Sequence, residues 1–319
     1  MKKNAEKIFI CDKNNEGKRL DIFLMEQIKV SRSEAKKFIS NGLVLLNGKL
    51  PKKAGQIMKE GYEVLARKEI KGVKESEFNF DIEIIADADD YVVINKPAGL
   101  LVHPTDANEP NTLVAWILEN YPKVSGVGED KVRPGIVHRL DKDASGVMVI
   151  AKTQKMFESL KDQFKNRTVE KEYGVLVHGL IDKDHDKINF EINRGMDGRM
   201  VSRPKIDSTK LRNVGKEQLG KEALTEYWIV NSFTRFTLLR VKIHTGRTHQ
   251  IRVHMLAFNH PVVGDKLYFN KKLNMKKDKK LGRLFLHSKK LCFDDLSDKR
   301  VCYDSDLPEE LNIFLNDLN

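Results

Sequence analysis

The chain has 319 residues, of which 40% are hydrophobic and 32% are charged. This composition is typical of a globular protein and excludes a disordered or fibrous chain. No window of the sequence approaches the roughly 20 apolar residues that a membrane span needs, and the first residues lack the apolar stretch of a secretory signal. We therefore expect a cytoplasmic protein that does not enter membranes.

Positive charge is concentrated in two parts of the chain. The net charge is +11, and residues 1–70 contain 16 basic and 9 acidic side chains, a net charge of +7. Residues 271–280 add six lysines and one aspartate. Such clusters favour a polyanionic partner, although a solvated surface rich in lysine would show the same pattern.

The sequence contains three cysteines, Cys11, Cys292 and Cys302. An odd and sparse set without a C-x-x-C pair argues against both a disulfide framework and a structural zinc site. We therefore expect free thiols.

Residues 17–66 contain two predicted helices followed by a small sheet. A helical spacing of apolar residues begins at Leu20, and the capping-box pattern of Ser31–Glu34 opens a second helix. An Asn-Gly pair within Val44–Leu50 predicts a hairpin turn. Tyr62–Ala66 predicts a further strand.

This block resembles the alpha-L module, a small RNA-binding unit shared with a small-subunit ribosomal protein. The resemblance rests on Arg19-Leu-Asp21, Ser31-Arg32, Gly42-x-Val44 and Leu46-Asn-Gly48. In that family the second helix and the following turn face RNA phosphates. The resemblance implies RNA contacts by six residues: Arg19, Arg32, Lys36, Lys37, Lys52 and Lys53. We assign the module to residues 15–68 and a charged linker to residues 69–80.

Beyond residue 80, predicted strands are interrupted by isolated helices and do not alternate regularly with them. The predicted strands are Asp90–Asn95, Ile136–Leu140, Val147–Ala151, Glu172–His178, Glu226–Val230 and Thr237–Ile243, and the predicted helices are Thr112–Tyr121 and Gln154–Asn166. This order predicts an α+β fold with a mixed, mainly antiparallel sheet in residues 81–319. A doubly wound fold is disfavoured, because no glycine-rich nucleotide loop follows a strand.

The loop His138–Gly146 carries two carboxylates, Asp141 and Asp143, beside Arg139. A carboxylate close to arginine stays ionised, which suits a nucleophile or a general base. The alternative is a purely structural role, in which Asp141 caps the loop through its side-chain oxygen. A glycosidase pair is disfavoured, because residues two apart on an extended segment point to one face and cannot flank a glycosidic bond.

A second polar stretch begins at His244. Thr245 or Thr248 is predicted to cap a helix from which Arg252 projects, while Arg247 projects from the preceding loop. Three histidines spaced by five residues would occupy divergent helical faces, so no zinc site is expected. Their predicted roles are packing, capping or RNA contact: His244, His249 and His254.

Four stretches together resemble, in order, the motifs of bacterial RNA pseudouridine synthases that modify large-subunit ribosomal RNA. These stretches are Asp90–Pro104, His138–Gly146, Lys171–Tyr173 and Thr245–His254. Tyr173 alone would be typical of strand packing, and only its occurrence together with the other three stretches suggests a function. The resemblance covers about residues 15–300 and implies that residues 81–319 form the catalytic domain.

The resemblance implies a role for each matching residue. Asp141 matches the aspartate that attacks the target uridine, Tyr173 the tyrosine that lies against its base, and Arg252 the arginine that pairs with Asp141. Arg139 matches a residue that fills the gap left by the flipped uridine, and Arg247 and His249 are expected to contact RNA. The isomerisation needs neither cofactor nor metal. The expected partner is ribosomal RNA or the pre-ribosomal large subunit, bound by a monomer.

Two other classes of protein remain as alternatives. A non-catalytic RNA-binding assembly factor would explain the basic clusters, but it would leave Asp141, Tyr173 and Arg252 unexplained. An aminoacyl-tRNA synthetase with the same small module would need a nucleotide-binding signature, which the sequence lacks.

Overall fold

The structure is a computed structural model. It describes residues 6–28, 30, 32–40, 42–67, 78, 80–104, 109, 111–130, 132–203, 220–270, 273 and 276–318. Internal contacts divide the chain into two compact units, Met1–Glu77 and Phe78–Asn319. The predicted linker, residues 69–80, lies outside the described residues except for residues 78 and 80.

The N-terminal unit combines two helices with a three-stranded sheet. Its elements are β1 (Glu6–Ile10), α1 (Leu20–Ile28), α2 (Arg32–Ser40), β2 (Val44–Leu46) and β3 (Glu63–Arg67). The central strand β3 pairs antiparallel with both neighbours. Phe23 and Leu24 of α1 are fully buried in a core that α2 and the sheet complete with Ala35, Val44 and Val64.

Both predicted helices of this unit are confirmed, but its sheet differs from the prediction. Asn47 and Gly48 have φ of +51° and +74°, and a single bridge joins Leu46 to Lys49 across the tight turn. The strand after this turn does not form, and β2 instead pairs along its length with the distant β3. The strand β1 was not predicted, since its apolar residues do not alternate with polar ones.

The larger unit is built on a nine-stranded sheet. The strands of the whole unit, including two that lie outside this sheet, are β4 (Glu83–Asp87), β5 (Tyr91–Lys96), β6 (Ser145–Ala151), β7 (Glu170–His178), β8 (His185–Ile188), β9 (Glu191–Arg194), β10 (Met200–Arg203), β11 (Thr225–Ser232), β12 (Phe236–Ile243), β13 (Leu286–Asp294) and β14 (Arg300–Asp304). Its helices are α3 (Leu113–Asn120), α4 (Gln154–Asn166), α5 (Gln250–Ala257), α6 (Lys276–Leu281) and α7 (Glu309–Asn316), with a short 3₁₀ helix at Pro122–Gly126.

The sheet order is β4-β5-β6-β13-β7-β12-β11-β8, and β14 pairs with β13. Every pairing is antiparallel except that between β6 and β13, and β9 and β10 form a separate two-stranded sheet. The predicted α+β fold with a mainly antiparallel sheet is therefore confirmed. No helix of the described residues is long and apolar enough to cross a membrane.

The central strand β6 and helix α4 show why the local predictions held in this unit. All seven residues of β6 are buried, the pattern of a strand covered on both faces. Helix α4 has the predicted bounds because both of its ends are set locally. Thr153 accepts a hydrogen bond from Met156 N at the start, and Arg167 adopts the left-handed conformation at the end.

The predicted strand Ile136–Leu140 is wrong. The segment runs beside β6 without forming a ladder. Val149 N donates to Nε2 of the His138 ring at 3.1 Å and thus bonds a side chain where a strand would offer a carbonyl.

The predicted cap of α5 is also wrong, because the residue before the first helical turn is His249. Thr245 lies earlier, where its hydroxyl accepts from Leu224 N and donates to Gln250 Oε1. Thr248 also precedes the cap position.

The expectation of free thiols is wrong for two of the three cysteines. Cys292 of β13 and Cys302 of β14 form a disulfide, whereas Cys11 is free and buried. The two strands pair antiparallel in a register that places Cys292 directly opposite Cys302. This register brings together two cysteines that are ten residues apart in the sequence.

Candidate active site

Asp141 lies in the loop that enters β6. Its carbonyl accepts from Ala144 N at 3.2 Å, which closes a turn directly before the strand. At Gly146 the backbone has φ of +113°, and a Cβ would lie 2.2 Å from the Ser288 carbonyl oxygen of β13. Because only glycine accommodates this approach, Gly146 allows β6 and β13 to pair and so fixes the end of the Asp141 loop.

Arg252 of α5 links Asp141 to a second aspartate. Its Nη1 donates to Asp141 Oδ2 at 3.0 Å, and its Nε and Nη2 donate to the two oxygens of Asp265 at 2.7 and 2.9 Å. Asp265 also accepts from the backbone N–H groups of Leu267 and Tyr268. A guanidinium held by a bidentate pair has a fixed orientation, so Asp265 sets where Arg252 holds Asp141.

The two aspartates differ in their access to solvent. The Asp141 side chain is 18% exposed and that of Asp265 is 0% exposed. Burial disfavours a charged Arg252, but hydrogen bonds to Asp265 and the charges of both carboxylates raise its pKa above the usual range. Arg252 is therefore charged, and Asp141 is the carboxylate that a substrate can reach. No motif in the sequence pointed to Asp265.

Tyr173 of β7 is buried, and its side chain lines a cavity together with Asp141. Burial, followed by the negative charge of Asp141, raises the pKa of Tyr173 well above its usual value. The side chain is therefore a neutral phenol at neutral pH.

His249 joins the same cluster. Its Nδ1 lies 2.8 Å from the Tyr268 hydroxyl, and its Nε2 lies 3.8 Å from Asp141 Oδ1. The Tyr268 ring lies under the Arg252 guanidinium, with 4.9 Å between Cζ and the ring centroid. Burial lowers the pKa of His249, and the charge of Asp141 only partly opposes this effect.

A buried lysine forms hydrogen bonds on the other side of the Asp141 loop. Lys96 is fully buried, and its Nζ donates to the carbonyls of Pro97 and Leu100, each at 2.8 Å, and of Lys142 at 3.2 Å. Burial lowers the pKa of Lys96 to about 7, although the charge of Asp141 acts in the opposite direction. Sequence reasoning missed this role, even though Lys96 lies within the quoted Asp90–Pro104 motif.

Two adjoining cavities open at this cluster. The smaller, of about 110 Å³, is lined by all six residues predicted for this unit: Arg139, Asp141, Tyr173, Arg247, His249 and Arg252. The larger, of about 490 Å³, shares Arg139, Tyr173 and Arg247 with it. Among the described residues, the larger cavity is lined by six lysines and arginines and by no acidic residue: Arg133, Arg139, Lys165, Arg167, Lys171 and Arg247. An accessible carboxylate beside such a cavity suits a site that binds a polyanion.

Comparison with known proteins decides the family. The model of the family described as RNA pseudouridylate synthase matches residues 90–257. An uncharacterized RNA pseudouridine synthase of Aquifex aeolicus (strain VF5) is 42% identical, over 82% of this chain and 80% of its own length. The chain belongs to the RNA pseudouridylate synthase family. The S4 domain model matches residues 18–64 of this synthase.

Further relatives agree with this assignment. Ribosomal large subunit pseudouridine synthase D of Salmonella typhimurium is 37% identical, over 80% of this chain and 74% of its own length. The solved structure of Human RNA Pseudouridylate Synthase Domain Containing 4 covers 74% of this chain and 92% of its own at a TM-score of 0.61 and 26% identity. This synthase is therefore an isomerase that acts on RNA.

In the N-terminal unit of the synthase, two of the predicted RNA-binding arginines share one buried aspartate. Arg19 Nε and Nη2 donate to the two oxygens of Asp21 at 3.0 and 3.1 Å, and Arg32 Nε donates to Oδ2 at 3.2 Å. The side chains of Arg19 and Arg32 are 42% and 48% exposed, whereas that of Asp21 is 0% exposed. The hydrogen bond from Arg19 lowers the pKa of Asp21.

The four predicted lysines of this unit lie on α2 and on the chain between β2 and β3. Lys36, Lys52 and Lys53 are exposed, and Lys37 is half-buried. Their contact with RNA stays a prediction, as does that of the two arginines.

The three histidines that prompted the metal question have separate partners. His244 bonds Glu226 at 2.8 Å, His249 belongs to the Asp141 cluster, and His254 bonds Thr225 and the Phe190 carbonyl. Within the described ranges, no three potential ligands converge in a way that could hold a metal ion.

Proposed function

We propose that this synthase converts specific uridines of large-subunit ribosomal RNA to pseudouridine, with Asp141 as the attacking carboxylate. The observation that carries the proposal is the position of Asp141, held by Arg252 in a small cavity beside a strongly basic one. The similarity to a relative named as a ribosomal large subunit synthase supports the choice of RNA.

The reaction rearranges one nucleotide without an added reactant. The bond between ribose C1′ and uracil N1 breaks, the base turns, and a bond forms between C1′ and C5. The hydrogen at C5 leaves as a proton, and N1 gains one. Attack by Asp141 on the sugar, attack on the ring and assistance to glycal formation are three routes that its position allows.

The neighbours of Asp141 have distinct tasks in this proposal. Arg252 orients the carboxylate through its hydrogen bond, and the neutral phenol of Tyr173 contacts the uracil ring. The target must leave its stack, which costs roughly a few kcal/mol. The exposed Arg139 side chain fills the vacated space in the RNA.

The N-terminal unit is proposed as the RNA-binding module, followed by the linker at residues 69–80 and the catalytic domain at residues 81–319. The basic residues of the N-terminal unit, together with Arg247, contact RNA phosphates. We also propose that the enzyme acts as a monomer in the cytoplasm. Sedimentation of the purified protein tests the first point, and fractionation of cells tests the second.

The decisive experiment measures tritium released from large-subunit RNA transcripts labelled at uracil C5. We expect release with the wild type and none above background with Asp141→Asn, which keeps the shape of the side chain but removes its charge. Asp143→Asn is the matched control, because this exposed aspartate of the same loop does not line the smaller cavity, and it should retain release.

Two outcomes would contradict the proposal. Release by Asp141→Asn at the wild-type rate would exclude Asp141 as the attacking group. No release by the wild type, on transcripts or on partially assembled large subunits that it binds, would favour the non-catalytic assembly factor.

A further inference from the structure

Lys171 is a buried cation that the proposed reaction does not use. It lies on β7 two residues before Tyr173, so both side chains project from the same face of the strand. Both line the larger cavity. The residue is only 8% exposed, which is unusual for lysine without a partner.

Nothing in the described part of the chain neutralises this ammonium group. No carboxylate or carbonyl bonds Nζ of Lys171, and its described neighbour is the Phe164 ring, whose centroid lies 5.5 Å away. Burial and, second, the positive charge of Arg167 lower the pKa of Lys171 to about 8. A desolvated ammonium in such surroundings gains strongly from an anion that enters the cavity.

The rest of the cavity favours the same kind of ligand. No acidic side chain is among the described residues that line it, although two of its cations pair with carboxylates outside the lining, Arg133 with Asp130 at 3.3 Å and Arg167 with Glu222 at 3.8 Å. The wall beside Lys171 is aromatic, because the rings of His138 and Phe164 stack at 4.7 Å. Low polarity of this wall strengthens the interaction between an ammonium and an anion.

The position of the cavity identifies which anion it can take. The larger and smaller cavities share Tyr173, Arg139 and Arg247. If a uridine occupies the smaller cavity, the adjoining larger cavity receives the RNA strand that continues from this uridine. The anionic groups of that strand are its backbone phosphates.

We propose that Lys171 binds a backbone phosphate of the RNA strand directly adjacent to the target nucleotide. This inference rests on the proposed function, because it takes the nucleotide at Asp141 as its reference point. Lys171 thereby holds the strand in register while the base is displaced from its stack. Arg167, Lys165 and Arg133 surround the same phosphate path at the cavity opening.

The first test compares the affinity of the full-length protein for large-subunit RNA transcripts. Lys171→Met keeps the length and apolar stem of the side chain but removes its charge. We expect Kd to rise roughly tenfold or more and the slope of log Kd against log salt to fall by about one. Lys155→Met is the control, because this exposed lysine of α4 lies outside the cavity, and its Kd should change less than about twofold.

A second comparison separates loss of the phosphate contact from loss of the fold. Lys171→Met should melt at or above the wild-type temperature, because it removes a buried charge without a partner. Lys171→Arg should recover part of the lost affinity. Unchanged affinity and salt slope in Lys171→Met would overturn the inference, as would weakened binding that appears only with a lowered melting temperature.

A third comparison identifies the phosphate itself. Synthetic RNA hairpins carrying a mapped target uridine receive one neutral methylphosphonate on either side of it. One of the two replacements should weaken binding by the wild type about tenfold but weaken binding by Lys171→Met very little. Equal losses in both proteins would overturn the inference. Displacement of RNA from the wild type by inorganic phosphate at matched ionic strength would instead indicate a site for free anions, and would also overturn it.

The inference and the proposed function can fail separately. A wild type that binds transcripts but releases no tritium would contradict the proposed function. The affinities and salt slopes of the two lysine variants would still decide whether Lys171 binds phosphate.

Discussion

The two units of the synthase each contain an arginine–aspartate cluster, and the two clusters are built in opposite ways. In the N-terminal unit, one buried carboxylate, Asp21, holds two half-exposed arginines. In the catalytic unit, one buried arginine, Arg252, holds the buried Asp265 and the accessible Asp141. The central member is hidden in both clusters, and the outer members that meet the solvent are two arginines in the first cluster and Asp141 alone in the second.

This inversion determines which charge each cluster exposes. The first cluster directs two guanidinium groups outward, where they can receive phosphate oxygens. The second directs a carboxylate toward a cavity whose rim is basic. In the proposed function, the same pair of residue types thus serves binding in one unit and chemistry in the other, according to which partner is buried.

Replacing the central arginine should have the largest effect. Arg252→Met leaves Asp265 buried without its counter-ion, and breaking a buried pair in this way typically costs about 3–5 kcal/mol. Asp141 also loses its orientation. We expect the midpoint of urea unfolding to fall sharply and tritium release to disappear.

The control for Arg252→Met is the double variant Arg252→Met, Asp265→Asn. The neutral amide can still accept from the N–H groups of Leu267 and Tyr268 but leaves no buried charge unpaired. Most of the lost stability should return, while tritium release stays absent. A double variant no more stable than the single one would show that the buried pair does not govern stability.

Removing the N-terminal unit should affect binding more than chemistry. Deletion of residues 1–77 removes a basic surface, so we expect Kd for RNA transcripts to rise roughly ten- to a hundredfold with a shallower salt dependence. Tritium release at saturating RNA should stay within about threefold of the wild type.

The control for this deletion keeps the whole chain. Lys36→Gln, Lys52→Gln and Lys53→Gln together should reproduce part of the loss of affinity and salt dependence. An unchanged Kd and salt slope in both proteins would remove the N-terminal unit from RNA binding.

The sequence predicted those parts of the molecule that are determined locally. Helix α4 has the predicted bounds because its cap and its end lie within the helix and its flanking residues. Asp141, Tyr173 and Arg252 were predicted from motifs, and the structure brings them to one cavity.

The missed features depend on contacts between distant segments. The central strand β13 carries lysines in its middle and joins β6 through a parallel pairing at only His287 and Ser288, so no periodic pattern revealed it. The disulfide follows from the β13–β14 register. Asp265 acquires its role only when the turn that carries it meets α5.

The smallest effect expected from the comparison concerns the pH dependence of the N-terminal unit. Hydrogen bonds from Arg19 and Arg32 hold the pKa of Asp21 below its usual value of 3.8. The stabilisation is therefore complete above about pH 4, near the pKa in the unfolded chain, and is lost as the pH falls through the lower folded value. Because the arginines are about half exposed, we expect it to amount to about 1–2 kcal/mol.

Hydrogen exchange of the α1 amides measures this contribution in the intact protein. Asp21→Asn should exchange faster than the wild type at pH 6, and the difference should shrink as the pH is lowered below 4. Glu60→Gln removes an exposed acidic charge from the same unit and controls for net charge. If the difference between Asp21→Asn and the wild type is constant from pH 6 to pH 2.5, the ionised carboxylate does not organise the two arginines. The contrast between the two clusters would then rest on the catalytic unit alone.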